Sequence, residues 1–477
     1  MKPSSNARNR RRFVMARDAR SVTTALASLA LSLVAAAACT SGGARVAIDG
    51  PEVTPPPQET QDTPSPNDEP EDEPEDEPED QDDPIDEPEP EPEPARCDPD
   101  ASVTTFRDEL QADGIRVGGI LQGCGRSAHV MVIPRGTTWR ITATQVARGA
   151  AMEAYSAHYF GWNTDGGTRP TELTSVGPAG SDRTLTMEVT GLFGGEHVLS
   201  FQNLRENGRS NYQVSAECID GCDRHTTRFP IVLVHGMLGT DNYFGILDYW
   251  YDMIPQMRAT GTEVFNTAAD PLNDSQVRSG QHWSQIEGWL EETGARRVNL
   301  IGHSQGGLDA RIIASPAGMD FGARIASITT VATPHHGVPI PALEFISETI
   351  NFIIAFPNFS PENAAVFNAT YTDAPETRYF SWSFRTCATV DVLCRIDSGG
   401  EVVGTFMSVP YGIVRLTGGD NDGLVTVASA QWGQHLGTHW ADHMAEVGQL
   451  ARPSSAGPFK HRQFYLDEIT RLIDAGF

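Results

Sequence analysis

The stretch "RRVNLIGHSQGGLDARIIAS" (296–315) limits the possible folds more than any other part of the chain. "RRVNLIG" is a charged start running into apolar residues, as in a short buried strand. "SQGGLDARIIAS" carries Leu308, Ile312 and Ile313 at helical spacing. Strand, tight turn and helix therefore meet at Ser304, within Gly302-His303-Ser304-Gln305-Gly306. Such an elbow forces strained backbone angles, so its neighbours must lack bulky side chains. It aims the hydroxyl out of the sheet and beside a helix N-terminus, where developing negative charge is favoured. A glycine-rich turn of any α/β protein has the same letters. The flanking strand and helix favour a nucleophile.

The rest of 227–477 agrees with a layered α/β fold. "FPIVLVHG" is a continuous apolar run, as a buried parallel strand should be. "SITTVATP" (327–334) and "GIVRLTGG" (412–419) read as further strands. "SQIEGWLEETG" and "HRQFYLDEITRLIDAG" read as helices. Alternating strands and helices predict a doubly wound, mostly parallel sheet in one domain. Residues 97–226 differ. "AHVMVIP", "WRITATQV", "RTLTMEV", "HVLSFQ" and "NYQVSAEC" are strand-like runs with no long helical pattern between them, which predicts a small all-β sandwich. Its pattern also resembles the bacterial pre-peptidase C-terminal domain, an accessory module, and no catalytic constellation falls inside it.

The N-terminal part is of another kind. A basic start, the apolar "SVTTALASLALSLVAAAA" and then Cys39 make residues 1–39 a secretory signal. The small residues before Cys39 resemble a bacterial lipoprotein cleavage site, although Ala36 stands where leucine is usual. The expectation is an exported cell-envelope protein, membrane-anchored through lipid on Cys39; a plain signal peptide with secretion is the alternative. Residues 40–96 are Pro/Glu/Asp-rich and predict a disordered, extended linker. Pro51 to Ala95 holds 20 acidic and no basic residues, so of a formal net charge of −28 only −8 belongs to the rest of the chain. The polyanion argues against a nucleic-acid partner. Beyond Cys39 the cysteines are Cys97, Cys124, Cys218, Cys222, Cys387 and Cys394. An even number in an exported chain predicts three disulfides. Proximity pairs Cys387 with Cys394, and the other four stay unassigned.

A serine hydroxyl needs a base, and the base needs an orienting acid. Downstream of Ser304, Asp391, Asp420 and Asp422 are candidate acids, and His435, His439, His443 and His461 are candidate bases. Asp420 or Asp422 could equally be turn formers in "GGDNDGLV". An oxyanion needs backbone N–H donors, here from Gln305 after the nucleophile and from Met237 in "HGMLG" (235–239).

Through "PIVLVHGMLGTDNYFGILDYWYDMIPQMR", "VNLIGHSQGGLDAR", "FSWS", "NDGLV" and "DHMAEVGQ", residues 227–477 resemble the bacterial family I triacylglycerol lipases. The resemblance implies an α/β-hydrolase fold, nucleophile Ser304, acid Asp422, base His443, and Met237 and Gln305 at the oxyanion hole. It also implies a structural calcium, but Ala445 stands where the family has a ligand aspartate. Gln449 keeps its glutamine, and Asp391 is the nearest counterpart of the upstream aspartate. A site short of a carboxylate should bind calcium weakly or not at all, so neither metal nor other cofactor is expected. The apolar segment 338–367, with Phe345, Ile346, Ile350, Phe352, Ile353, Ile354 and Phe356, falls where that family has a lid; a buried helix pair is the alternative. The implied activity is hydrolysis of lipid esters, triacylglycerols foremost, at a lipid–water interface. An esterase or acyltransferase on short-chain, polymeric or phospholipid esters is the second reading. A catalytically inactive surface-binding protein is a third.

Overall fold

In a computed structural model of the chain, the described residues are those of 105–477 outside 107–108, 111–116, 147–151, 159–172, 177–183, 204–208, 238, 240–241, 244–246, 340–358, 405–406 and 450–458. The signal, Cys39, the acidic linker, Cys97 and the apolar heart of 338–367 lie outside the described residues.

Strands β1 (Thr105–Phe106), β2 (Val117–Gln122), β3 (Arg126–Ile133), β4 (Thr138–Gln145), β5 (Met152–His158), β6 (Leu173–Val176), β7 (Thr184–Thr190), β8 (Gly195–Asn203) and β9 (Arg209–Asp220) form two sheets. Their orders are β1-β3-β8-β5-β6 and β2-β9-β4-β7. In β4 and β9 every second residue is buried, as two facing sheets require. The inward side chains, among them Ile133, Ile141, Phe201, Tyr212 and Val214, make one core. This is the expected all-β sandwich. A Cys218–Cys222 disulfide closes the turn after β9, and Cys124 is also disulfide-bonded.

The second part runs through β10 (Ile231–Val234), a small antiparallel hairpin β11 (Asn242–Tyr243) and β12 (Leu247–Asp248), α1 (Ile254–Ala259), β13 (Val264–Asn266), α2 (Ser275–Thr293), β14 (Val298–His303), α3 (Gln305–Ala314) and β15 (Ile325–Val331). It continues with α4 (Pro361–Thr370), β16 (Arg378–Arg385), α5 (Val392–Asp397), α6 (Ser408–Gly418), β17 (Gln434–Trp440) and α7 (His461–Asp474). The sheet order is β13-β10-β14-β15-β16-β17, with every neighbouring pair parallel. β10, β14 and β15 are buried along their whole lengths, because helices cover both faces. Ile231, Leu233 and Ile301 pack with Met257 of α1 and with Phe464, Tyr465 and Ile469 of α7. The alternate residues Val232 and Leu300 pack with Trp283, Ile286 and Leu290 of α2 and with Ala310 and Ile313 of α3. Helix α2 starts at Asp274, whose side chain accepts from the N–H groups of Gln276 and Val277, and stops at Gly294 in the left-handed region.

This is the doubly wound α/β-hydrolase sheet. Its order turns at β10: β13 lies on one side and β14 on the other. The crevice at the carboxyl ends of β10 and β14 is therefore the place for a site.

One element departs from expectation. "GIVRLTGG" (412–419) is not a strand; residues 408–418 are helix α6. Pro410, Tyr411 and Val414 are buried on one side while Leu416 is exposed, so the run has a helical stripe that a short apolar window hides. Asp422 thus follows a helix.

Ala95–Phe477 belongs to one compact unit. Glu196 of the sandwich accepts from Arg228 (2.9 Å) and Arg296 (2.7 Å), and Arg135 pairs with Glu263 (3.0 Å). The Arg228 N–H also donates to the carbonyl of Phe477, the last residue. The sandwich is thus packed on the face that carries the strand N-termini and the chain end.

Candidate active site

Ser304 ends β14 and begins α3 with φ 54° and ψ −127°. A non-glycine residue in that region is strained, which is the backbone cost of the elbow. The glycines around it leave room for close approach. A Cβ on Gly306 would lie 2.2 Å from the carbonyl oxygen of Val234, and one on Gly236 would lie 2.8 Å from Ser304 Cβ. The loop after β10 therefore comes directly against the serine, with Met237 next in line.

Asp422 sits in the turn after α6 and His443 in the loop after β17. His443 Nε2 is 3.0 Å from Ser304 Oγ, and His443 Nδ1 is 2.8 Å from Asp422 Oδ2. All three residues are buried. Asp422 is also a turn former: its Oδ1 accepts the N–H groups of Leu424 and Val425. One oxygen shapes the turn and the other meets the imidazole. The main-chain N–H of His443 donates to the carbonyl of Asp422, fastening the two loops together.

The other candidates lie elsewhere. Asp420 pairs with Arg385 and Arg415. Asp391 is exposed and caps α5 through the Cys394 N–H. His435 bonds Ser383, His439 packs among Trp382, Phe384 and Phe464, and His461 donates to the carbonyl of Tyr251.

A second, hidden layer fixes these groups. Gly236 N–H donates to Tyr249 Oη (3.0 Å), and that hydroxyl lies 2.6 Å from His303 Nδ1. His303 Nε2 is 2.9 Å from Glu446 Oε2. With Tyr249 accepting from Gly236 and donating to His303, the other ring nitrogen carries the proton toward Glu446. Burial, then the neighbouring His443, holds His303 well below its ordinary value, so it stays neutral. Glu446 is pushed well up by burial, then by the charge of Asp422 and a hydrogen bond to it. Two carboxyls around one imidazole cannot both ionise cheaply, so Glu446 keeps its proton.

Beneath the loop after β10, Arg278 of α2 donates to the carbonyls of His235 (2.6 Å) and Gly236 (3.3 Å). Its Nε pairs with Asp309 of α3 at 2.8 Å, with neither side chain exposed. Burial pushes Asp309 up, but Arg278 and His282 outweigh it and hold the carboxyl below its ordinary value. His235 donates from Nδ1 to the carbonyl of Gly236 and accepts the Ala269 N–H at Nε2. Burial, then the charge of Arg278, depresses it to about 3. Arg278, His303, Tyr249 and Glu446 were not among the expected acid, base and oxyanion residues. Nothing in the local spacing of any of them signals this network.

Of the residues that the resemblance implies for calcium, Asp391 lies at the start of α5. Ala445 offers no side-chain oxygen. Asp442 accepts the Met444 and Ala445 N–H groups at Oδ1 and the Gly404 N–H at Oδ2. The Gln449 amide donates to the carbonyl of Tyr249. Among the described residues, His303, His443 and Glu446 cluster closely enough for a metal. The ring nitrogens of both histidines and Glu446 Oε2 are already engaged in the network above.

Met237, Leu308, Val338, Phe359, Val414 and Leu424 pack in one apolar cluster that reaches the loop after β10. The arrangement joins a serine, an imidazole and a carboxylate in series, which is suited to acyl transfer.

The palmitoyl protein thioesterase family model matches residues 230–381. A triacylglycerol lipase of Pseudarthrobacter phenanthrenivorans is 27% identical over 294 residues, covering 47% of this chain and 90% of that one. A triacylglycerol lipase of Pseudomonas fragi is 29% identical over 303 residues, covering 53% and 99%. Among solved structures, the mature form of a Bacillus licheniformis lipase is 20% identical, covers 51% of this chain and 91% of that one, and has a TM-score of 0.40.

Proposed function

We propose that the chain carries a bacterial lipase segment, that of a lipid ester hydrolase, and that Ser304, His443 and Asp422 carry out the hydrolysis as nucleophile, base and acid. The observation that carries this reading is the unbroken series from Ser304 Oγ through His443 to Asp422 at 3.0 and 2.8 Å. Ser304 attacks the ester carbonyl as His443 Nε2 takes its proton. Asp422 holds the ring by accepting from Nδ1 and offsets the charge of the imidazolium. The N–H groups of Met237 and Gln305 hold the oxyanion. His443 then protonates the departing alcohol, leaving an acyl-serine. Water, deprotonated by the same nitrogen, releases the acid and restores the hydroxyl.

The substrate we propose is a triacylglycerol, because Met237 in the loop against the serine packs in an apolar cluster and the relatives named above are triacylglycerol lipases. A second reading, an acyl thioester substrate, is favoured by the thioesterase family match and uses the same chemistry. Export with a lipid anchor at Cys39 belongs to the proposal and rests on the order of residues 1–39. Among the described residues no helix is long and apolar enough to cross a membrane.

The test is Ser304→Ala with p-nitrophenyl esters of several chain lengths. The variant should keep its melting temperature and lose turnover by several orders of magnitude. Wild type should be labelled by a phosphonate at Ser304 alone. A folded Ser304→Ala enzyme with wild-type turnover would end the reading. The chain-length profile separates triacylglycerol from short-chain preference.

A further inference from the structure

Half of the large aliphatic side chains exposed among the described residues fall between Val390 and Leu416. Val390, Val392, Leu393 and Ile396 are 89%, 63%, 80% and 73% exposed, and Leu416 is 90% exposed. Val392, Leu393 and Ile396 lie on helix α5, which buries no residue at all. Two turns of helix are not stable in water without support. Here the support is the Cys387–Cys394 disulfide and the Asp391 cap. Cys387 is fully buried, so the knuckle is fastened to the core at its base while its apolar face points outward. Nothing about the core requires aliphatic residues there. Concentrated exposed apolar surface marks an interaction site.

The knuckle stands at the catalytic cleft. Ala388 packs on Val403, Met407 and Tyr411, and against the same cluster lie Leu424 and Met444. Leu424 donates its N–H to Asp422, and Met444 follows His443. Thr386 N–H donates to the carbonyl of Asn421, beside the acid. Helix α6 extends the rim: Val409, Ile413 and Leu416 are spaced along one stripe, and Ile413 packs on the cluster that holds Met237.

We propose that the disulfide-held knuckle 387–397 and the outer stripe of α6 dock the enzyme on the uncharged surface of an aggregated lipid ester. The proposal rests on the lipid-ester reading above. The charge pattern selects this partner: Asp391, Asp397 and Arg395 on the knuckle balance with Arg415 on α6, so the surface carries no net charge and no cationic cluster to draw an anionic bilayer. A surface presented by a fixed loop loses little conformational freedom on docking. Docking there brings the ester phase to the side of the cleft formed by the loops of Asp422 and His443.

The test uses the full chain and the double variant Leu393→Asp/Ile396→Asp, with Leu393→Ser as a milder change. Each is assayed on p-nitrophenyl butyrate below its solubility limit and on a triolein emulsion, and flotation with triolein droplets measures binding. The expected result is unchanged turnover of the soluble ester, with emulsion activity and droplet binding falling by roughly ten-fold or more in the double variant. Equal loss on both substrates would mean that the knuckle supports the site, and equal retention on both that it docks nothing; either overturns the proposal. So would preferential binding to phosphatidylglycerol vesicles, or a wild-type dimer that the double variant converts to monomer. If wild type hydrolyses neither ester, the catalytic reading fails by itself, and droplet flotation still decides for or against the knuckle.

Discussion

Glu446 Oε2 lies 2.9 Å from His303 Nε2 and 3.8 Å from His443 Nδ1, so one buried carboxyl touches both the residue before the serine and the imidazole beside it. The elbow, the loop after β10 and the loop of His443 thereby share one hydrogen-bonded network through Tyr249, His303 and Glu446.

That network gives a pH dependence. The carboxyl of Glu446 is raised well above its ordinary 4.5 in the fold, by burial first and by Asp422 next. The native state thus holds a proton that the unfolded chain has already lost. The stability this group contributes is full below 4.5 and is lost as pH rises through its folded value. Glu446→Gln stays neutral and removes the penalty. Thermal melts of wild type and variant should coincide near pH 4 and diverge as pH rises, the variant being the more stable at pH 8. Parallel curves would assign the slope to another group.

Arg278 should act on catalysis through the oxyanion loop. Arg278→Met leaves Asp309 buried with only His282 beside it and should cost about 3–5 kcal/mol of stability. Arg278→Lys keeps the charge but cannot bridge Asp309 and two carbonyls at once. In the lysine variant kcat should fall roughly ten-fold or more with KM little changed, since the loop matters most when the oxyanion forms. A boronic acid inhibitor should weaken in step with kcat. Loss of stability with an unchanged inhibitor constant would make Arg278 purely structural.

Chelation should have little effect. With Ala445 in place of a carboxylate and both Asp442 oxygens accepting from the backbone, too few oxygens remain for a hard dication. EGTA should change neither activity nor melting temperature. A drop reversed by added calcium would show that other oxygens build a site, because a bound ion stabilises the fold by mass action.

Cys39 should carry lipid in a bacterial host. Labelled fatty acid should incorporate into wild type and not into Cys39→Ser, and the wild type should partition with membranes. Unlabelled wild type would leave secretion through a cleaved signal as the surviving account.

Local pattern determined much of this protein. The strand, elbow and helix around Ser304, the buried strands β10 and β15, and the alternation of the sandwich follow from side chains whose spacing repeats within a few residues. The run 412–419 misled because a few apolar residues in a row suit either a strand or one stripe of a helix; packing of Tyr411 and Val414 decided for the helix. Family resemblance singled out Asp422 and His443, since local spacing left three acids and four histidines open. Tertiary structure alone brought Glu446 to His303, 143 residues away in sequence, and Arg278 beneath His235. It alone left the aliphatic face of α5 in solvent. Hydrogen-bond partners and exposure depend on which distant segments pack together, and no periodicity within a segment encodes its neighbours.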